Sequence, residues 1–346
     1  MHSLNIHTAA MAAFCNSTIK NVTFSISCFS CSLLDERYIW NNTYLSSKVY
    51  YSSVAVAIAA GILCPFITLA NVFVFFAFLK IPRKQPTDML LCSLSVTDFI
   101  TGVAVLPLVV FTRISETVSN EKFVCNGRHW YRVVSIVCVG ASIGHLTLIS
   151  IERAIGFTFV MKAESLISHH KILAGIVFTW FYSMAASVAS SSVVRPIPWR
   201  EMALRAAYYG ISFIFMACCY GWILRKLKRD VKSIKKKEHI EKILKEAKLA
   251  KTMAYTCFAF AAFFLPETIS NAIVAITEHS KLTMVHIVLN WTQIAAYSNS
   301  LFNPIWYSFS IPFIRRKALR CFNVLLLCLS IRKTNKVQNV PDNKRG

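Results

Sequence analysis

The sequence predicts an all-α membrane protein, a bundle of seven transmembrane helices, and three observations carry that expectation. Apolar residues make up 55% of the 346-residue chain and charged residues only 16%, well below the roughly 25% typical of a water-soluble domain. The apolar residues gather into seven runs, each near the roughly 20 residues a helix needs to cross a bilayer core. Basic residues fall between these runs with a strong bias to one side.

The runs cover approximately 49–79, 88–111, 130–159, 172–194, 206–224, 252–276 and 282–309, leaving an N-terminal segment (1–48) and a tail (310–346). Most of the 38 Lys and Arg lie on the side that also holds the tail: Lys80, Arg83 and Lys84, then Arg153, Lys162 and Lys171, then the stretch 225–251 and the tail itself. Cytoplasmic loops retain positive charge, so the tail is predicted inside and the N-terminus outside. Asn16, Asn21 and Asn41 each open an Asn-x-Ser/Thr glycosylation acceptor on the predicted outer side. Residues 1–20 lack the basic start and continuous apolar core of a cleaved signal, so the first span is expected to act as an uncleaved signal anchor. The net charge of +22 has a membrane explanation, since each juxtamembrane Lys or Arg gains on the order of 1 kcal/mol near anionic inner-leaflet lipid. Split among loops without a groove of stacking aromatics, it argues against nucleic acid as a partner.

An ionisable or strongly polar side chain at mid-bilayer costs several kcal/mol unless paired or hydrated, so each is a functional candidate. Asp98 lies about ten residues into the second span. Asn71, Ser142, His145, Asn299, Ser300 and Asn303 stand at similar depth in other spans, and Asn299 and Asn303, four apart, share a helical face. Their oxygens suit a hydrated monovalent cation around Asp98; a water-filled packing network without an ion fits the spacing equally. Pro107, Pro266 and Pro304 lie inside spans and release the carbonyls of Val103, Ala262 and Ser300. At the inner end of the third span, Arg153 beside Glu152 either snorkels to lipid phosphate or pairs with a carboxylate on a neighbouring helix, for which Glu246 is a candidate.

The residues Asn303-Pro304-Ile305-Trp306-Tyr307, joined in order by Asn71, Leu94-x-x-x-Asp98, Glu152-Arg153, Trp180, Tyr220 and Pro266, make the chain resemble a rhodopsin-like, or class A, G-protein-coupled receptor. The resemblance covers all seven spans and implies a receptor that binds an extracellular ligand and activates a heterotrimeric G protein, with arrestin and a receptor kinase as further partners. It assigns Asp98, Ser142, Asn299, Ser300 and Asn303 to an allosteric sodium pocket. Arg153 matches the arginine that is held by Glu152 and Glu246 and then meets the G protein; Tyr220 and Tyr307 match tyrosines that support the opened state. Residues 313–319 resemble a short amphipathic eighth helix, with Cys321 and Cys328 as palmitoylation candidates.

Departures from the family pattern narrow these expectations. Ala154 replaces a Tyr, Phe264 a ligand-sensing Trp and Ser212 a Pro, and the outer loop 195–205 holds no Cys for the usual disulfide. Cys28 and Cys31 are the candidate partners of Cys125 in an oxidising compartment. These features are similar to the melanocortin and cannabinoid branch, and Asn271 with Asn299-Ser300 is similar to adenosine receptors. Tyr297 stands where opsins carry their Schiff-base Lys, so covalent retinal is not expected. Ser135 stands where biogenic-amine receptors carry an Asp, which disfavours a monoamine. The outer half offers Arg113, Arg128, His129, Arg132, Glu267, Asn271 and Gln293 to a ligand, and Ser135, Phe264 and Tyr297 are further ligand-binding candidates. Glu267 either pairs with Arg132 or a ligand cation or turns toward water; the arginines either recognise a carboxylate or phosphate or cap the bundle against outer-leaflet headgroups.

A polytopic ion or proton transporter is the alternative, since Asp98, His145 and Glu267 would make a relay, but seven unrepeated spans argue against it. No His-Glu-x-x-His or Gly-x-Ser-x-Gly motif and no pair of intramembrane aspartates appears, and Cys28-Phe29-Ser30-Cys31 lacks a second metal-binding pair, so neither an enzyme nor a resident metal beyond sodium is expected.

Overall fold

In the absence of water, a long apolar run satisfies its own backbone N–H and C=O groups as a helix, and the elements of the computed structural model are all helices among the described residues. These are residues 47–81, 85–118, 121–159, 166–192, 198–233, 251, 254–255, 257–270, 272–273, 282–310, 313–317 and 319–320. In chain order they form α1 (Ser47–Leu79), α2 (Pro86–Thr117), α3 (Glu121–Thr158), α4 (His169–Ser192), α5 (Pro198–Ser233), α6 (Cys257–Ser270) and α7 (Leu282–Ser310). By length and composition α1 to α5 are each able to cross a membrane; α6 is a shorter apolar helix.

Helices α2, α3 and α5 outrun the apolar stretches that predict them. Hydropathy ends the second span at 111, yet the helix continues for six residues in which Arg113 and Glu116 are buried. A charge stops a hydropathy run because it opposes lipid; it does not stop a helix when a neighbouring helix supplies its partner. The start of α2 is set by Pro86 in the first turn and by Asp88, whose Oδ2 accepts the Gln85 N–H at 2.8 Å.

The prolines decide where helices touch. Pro107 has no N–H, and just before it the helix widens into a π turn at Thr101–Val105, in which Leu106 N–H reaches back to Thr101 C=O. The Gly102 carbonyl is thereby left for another donor and accepts the Cys64 thiol of α1 at 3.1 Å. A fourth proline, Pro65, lies inside α1 beside this contact. Pro304 releases the Ser300 carbonyl, as its position predicts, and Asn71 of α1 fills it with its Nδ2–H at 3.0 Å while donating also to Ile67 C=O at 2.9 Å.

Small residues set the closest approaches. Gly140 and Gly144, one turn apart on α3, face Ser183 and Thr179, one turn apart on α4, a spacing that brings membrane helices together by packing alone. The apolar core runs the length of the bundle through Ile67, Val74, Leu90, Leu94, Ile143, Leu146, Met216, Phe260 and Tyr307. Beyond α7, residues 313–317 are helical, with Ile314 buried and Arg315 and Arg316 exposed, in keeping with an amphipathic eighth helix.

A Cβ at Gly102 would stand 2.9 Å from the Thr68 backbone nitrogen, whereas one at Gly61 meets nothing within 4 Å. Gly102→Ala is expected to destabilise the bundle by about 1–3 kcal/mol and Gly61→Ala to leave it unchanged or slightly more stable; thermal unfolding of the detergent-solubilised chain reads the difference.

Candidate functional site

At mid-depth α2, α7 and α1 are tied through one carboxylate. Asp98 is buried, and its two oxygens each accept a donor from α7: Ser300 Oγ at 2.7 Å on Oδ1 and Asn303 Nδ2 at 2.7 Å on Oδ2. Asn71 closes the group through the Ser300 carbonyl. Ser142 of α3 is buried nearby in sequence register but bonds the Thr97 hydroxyl at 3.0 Å. Asn299 and Asn303 both carry buried Oδ1 atoms without a donor, as does Asn71.

His145, also at mid-depth, belongs to a different network. Its Nδ1 meets the Ala141 carbonyl at 2.6 Å, so this nitrogen carries the proton; Nε2 then accepts from Ser93 Oγ at 2.8 Å, and Ser93 accepts the Trp180 indole N–H at 3.0 Å. The chain of donors runs one way, from α4 through α2 to the α3 backbone. Asp98 is clasped by α7 and His145 by Ser93 and Trp180, so these contacts do not join the two into the relay a transporter requires.

The end predicted to face the cytoplasm holds a latch. Arg153 Nε donates to Glu152 Oε2 at 2.6 Å, and its Nη2 donates to Glu152 Oε1 and to Thr87 Oγ1. Thr87, in the first turn of α2, donates in turn to Glu152 Oε2 at 2.8 Å. The three side chains form a closed ring that binds the end of α3 to α2, and the arginine does not snorkel. Glu246, the other expected partner, lies outside the described residues. Thr87 escaped sequence reasoning because a lone Thr carries no signal; its place beside Pro86 at a helix start is the clue that was present. Tyr220 and Tyr307 are both buried. The Cys257 thiol approaches the Tyr220 hydroxyl at 3.9 Å, while the Tyr307 hydroxyl has no partner and its ring packs against Phe78. Phe264 is buried and stacked on Phe260 at 4.2 Å.

At the opposite end, Tyr297 is the centre of a hydroxyl cluster, 2.6 Å from Tyr131 and 2.8 Å from Ser135. Glu267 is half-buried within electrostatic reach of Tyr297, and Arg132 is half-buried beside His129. Arg113 is buried rather than turned to headgroups: Nη1 donates to Glu116 Oε1 at 2.7 Å and Nη2 to Gln293 Oε1 at 3.3 Å. Arg128 also reaches Glu116 Oε1, at 3.2 Å, and Ser53 donates to Oε2 at 2.9 Å. Sequence reasoning missed Glu116, which reads as a loop residue once Arg113 ends the apolar run. Asn16, Asn21, Asn41, Cys28, Cys31, Asn271, Cys321 and Cys328, and the side chain of Cys125, lie outside the described residues.

The described helices thus combine membrane-crossing length, a polar mid-plane, an arginine latch at one end and a polar cluster at the other. The family model for the 7 transmembrane receptor (rhodopsin family) matches residues 70–195 and 199–307, and the chain belongs to that family; it is a G-protein-coupled receptor, and the seven-helix bundle and multi-pass membrane placement follow. It is similar to trace amine-associated receptor 5 of Homo sapiens, 27% identical over 287 residues that span 76% of this chain and 82% of the relative. It is also similar to trace amine-associated receptor 9 of Mus musculus, 26% identical over 277 residues spanning 71% and 78%. These relatives do not show the expected likeness to melanocortin, cannabinoid and adenosine receptors, which rested on an absent loop cysteine and a few isolated polar positions.

Trp180→Phe keeps an aromatic ring but removes the donor to Ser93, and is expected to cost about 1 kcal/mol. Ser93→Ala leaves both the indole N–H and His145 Nε2 unpaired and is expected to cost more; parallel thermal unfolding curves rank the two.

Proposed function

We propose that this receptor lies in the plasma membrane with its N-terminus outside, takes an extracellular ligand between the outer halves of the helices, and answers by surrendering Arg153 to a heterotrimeric G protein. The observation that carries this reading is the ring of Arg153, Glu152 and Thr87. It occupies the guanidinium's fork within the receptor, so a partner's acceptors reach Arg153 after the ring opens. The buried Tyr307 hydroxyl supports the same reading: an unpaired polar group costs about 1–3 kcal/mol, and movement of α7 toward a hydrogen-bond partner relieves that cost.

A sodium ion fits the surroundings of Asp98, because the donorless Oδ1 atoms of Asn299 and Asn303 are acceptors in want of a positive group. Asp98, Ser300 and these amide oxygens would hold it, with Ser142 turned from Thr97. When bound, its charge would offset the carboxylate and favour the clasped arrangement of α2 and α7. The basic stretch 225–251 and the tail are the surfaces for G protein, arrestin, receptor kinase and anionic lipid.

The relatives' names point to amines. Ser135 carries no carboxylate, and its hydroxyl is engaged with Tyr297, so Ser135 supplies no counter-ion for an ammonium; Glu267 is a carboxylate within electrostatic reach of Tyr297. A ligand bound as an amine through α3 is therefore disfavoured.

Arg153→Ala is expected to abolish coupling, read as cAMP and calcium responses, in receptor that still reaches the cell surface; normal coupling would remove the latch from the mechanism. Thr87→Val, of equal shape, opens one side of the ring and is expected to raise basal coupling severalfold. Replacing sodium by N-methylglucamine is expected to lower the thermal stability of wild type and to leave Asp98→Asn unaffected.

A further inference from the structure

The Arg113 cluster joins four helices: Ser53 from α1, Arg113 and Glu116 from α2, Arg128 from α3 and Gln293 from α7. Within it the hydrogen bonding is unequal. Both Glu116 oxygens are engaged, and two guanidiniums converge on Oε1. Arg113 is 94% buried by its 6% relative exposure, yet it is not fully used. Glu116 takes Nη1, the end of the fork. The side edge, formed by Nε–H and Nη2–H, has no partner at Nε and a long 3.3 Å bond from Nη2 to a neutral amide.

A buried guanidinium N–H without an acceptor is costly, and native structures leave few. The side edge of arginine matches the two oxygens of a carboxylate or phosphate, which accept from both N–H groups at once. A neutral amide oxygen matches only one. On α7, one turn before Gln293, Asn290 is buried with its own Oδ1 unpaired, so a second polar atom on the same face of that helix lacks a partner. The surplus is therefore directional: a two-donor edge with Nε unpaired and Nη2 held only by a long bond, flanked by Arg128, at the end of the bundle where the chain's ligand is expected to enter.

We propose that Arg113 is the anchor of an oxyanion subsite, which binds a carboxylate or phosphate group of a ligand through its Nε and Nη2 and loosens the Gln293 bond in doing so. The subsite lies between α2 and α7. Its occupant pulls on the same pair of helices that Asp98 clasps deeper in the bundle, and this couples it to the switch. It rests on the reading of this end as the ligand's entrance, but binding itself needs no G protein.

The test uses the full-length receptor in phosphatidylcholine nanodiscs with 15N-labelled arginine, the Arg113 Nε–H resonance being assigned by its loss in Arg113→Lys. Phenylacetate is expected to move that resonance saturably, with a half-point on the order of 1 mM or below, while phenylacetamide, of the same shape without the charge, does not. A second arm places the receptor in nanodiscs containing phosphatidylglycerol with no acid added; movement there alone assigns the anion to a lipid headgroup, and movement with phenylacetate alone to a soluble ligand. Arg113→Lys keeps the charge for Glu116 but loses the fork, and is expected to weaken the thermal shift induced by the active anion at least about tenfold. A resonance that moves in neither arm, or equal thermal shifts in wild type and Arg113→Lys, overturns the subsite. Failure here leaves Arg153 coupling intact, whereas failure of the latch appears as normal coupling in Arg153→Ala with the Arg113 resonance still responsive.

Discussion

A carboxylate in the middle of an apolar bundle cannot be left alone, and the architecture is arranged around satisfying Asp98. Its partners come from α7, and Asn71 of α1 reinforces them through the backbone of Ser300. Helices α1 and α2 are thereby held at one depth with α7, about 200 residues further on, by hydrogen bonds that lipid cannot replace. Packing alone would let these helices slide, since a lipid tail is as apolar as Leu. The polar clasp sets their register.

The second recurring device is the freed backbone carbonyl. Pro304 and the π turn before Pro107 each remove an internal hydrogen bond, and each exposed oxygen is met by a side chain from α1, Asn71 in one case and Cys64 in the other. A proline in a membrane helix thus becomes a docking point. Because those bonds run between helices rather than within one, they break when the helices shift against each other. Tyr307, Asn299 and Asn303 add buried polar atoms without partners in the same region. A receptor that must adopt a second arrangement needs its resting one to be less than fully satisfied, and among the described residues much of the shortfall lies on α7.

The two ends of the bundle use ion pairs differently. At one end Arg153 pairs with the adjacent Glu152 carboxylate, and the Thr87 hydroxyl bridges the two in a compact ring. At the opposite end Glu116 gathers two arginines and a serine across three helices. Among the described residues Arg128 and Glu116 tie that end of α3 to α2. Such a tie is reversible and responds to charge, so an anion arriving at that end acts on the frame of the bundle as well as on its contact residues.

The apolar runs, the excess of Lys and Arg on one side, Asp98, Asn303-Pro304 and Glu152-Arg153 were legible in the chain itself, because each follows from a cost that lipid imposes on a single residue or a contiguous stretch. The release of the Ser300 carbonyl was legible too; what would accept the invitation was not. Thr87 in the Arg153 ring, Glu116 between two arginines, the Ser93 bridge from His145 to Trp180 and the pairing of Gly140 and Gly144 with α4 all depend on which helix faces which. Sequence alone determined which groups would be too costly to leave in lipid unaided. Tertiary structure decided who pairs with whom, because hydrogen bonds and ion pairs act over a few ångströms, and residues 63 or 205 positions apart come within that range only after the helices have packed.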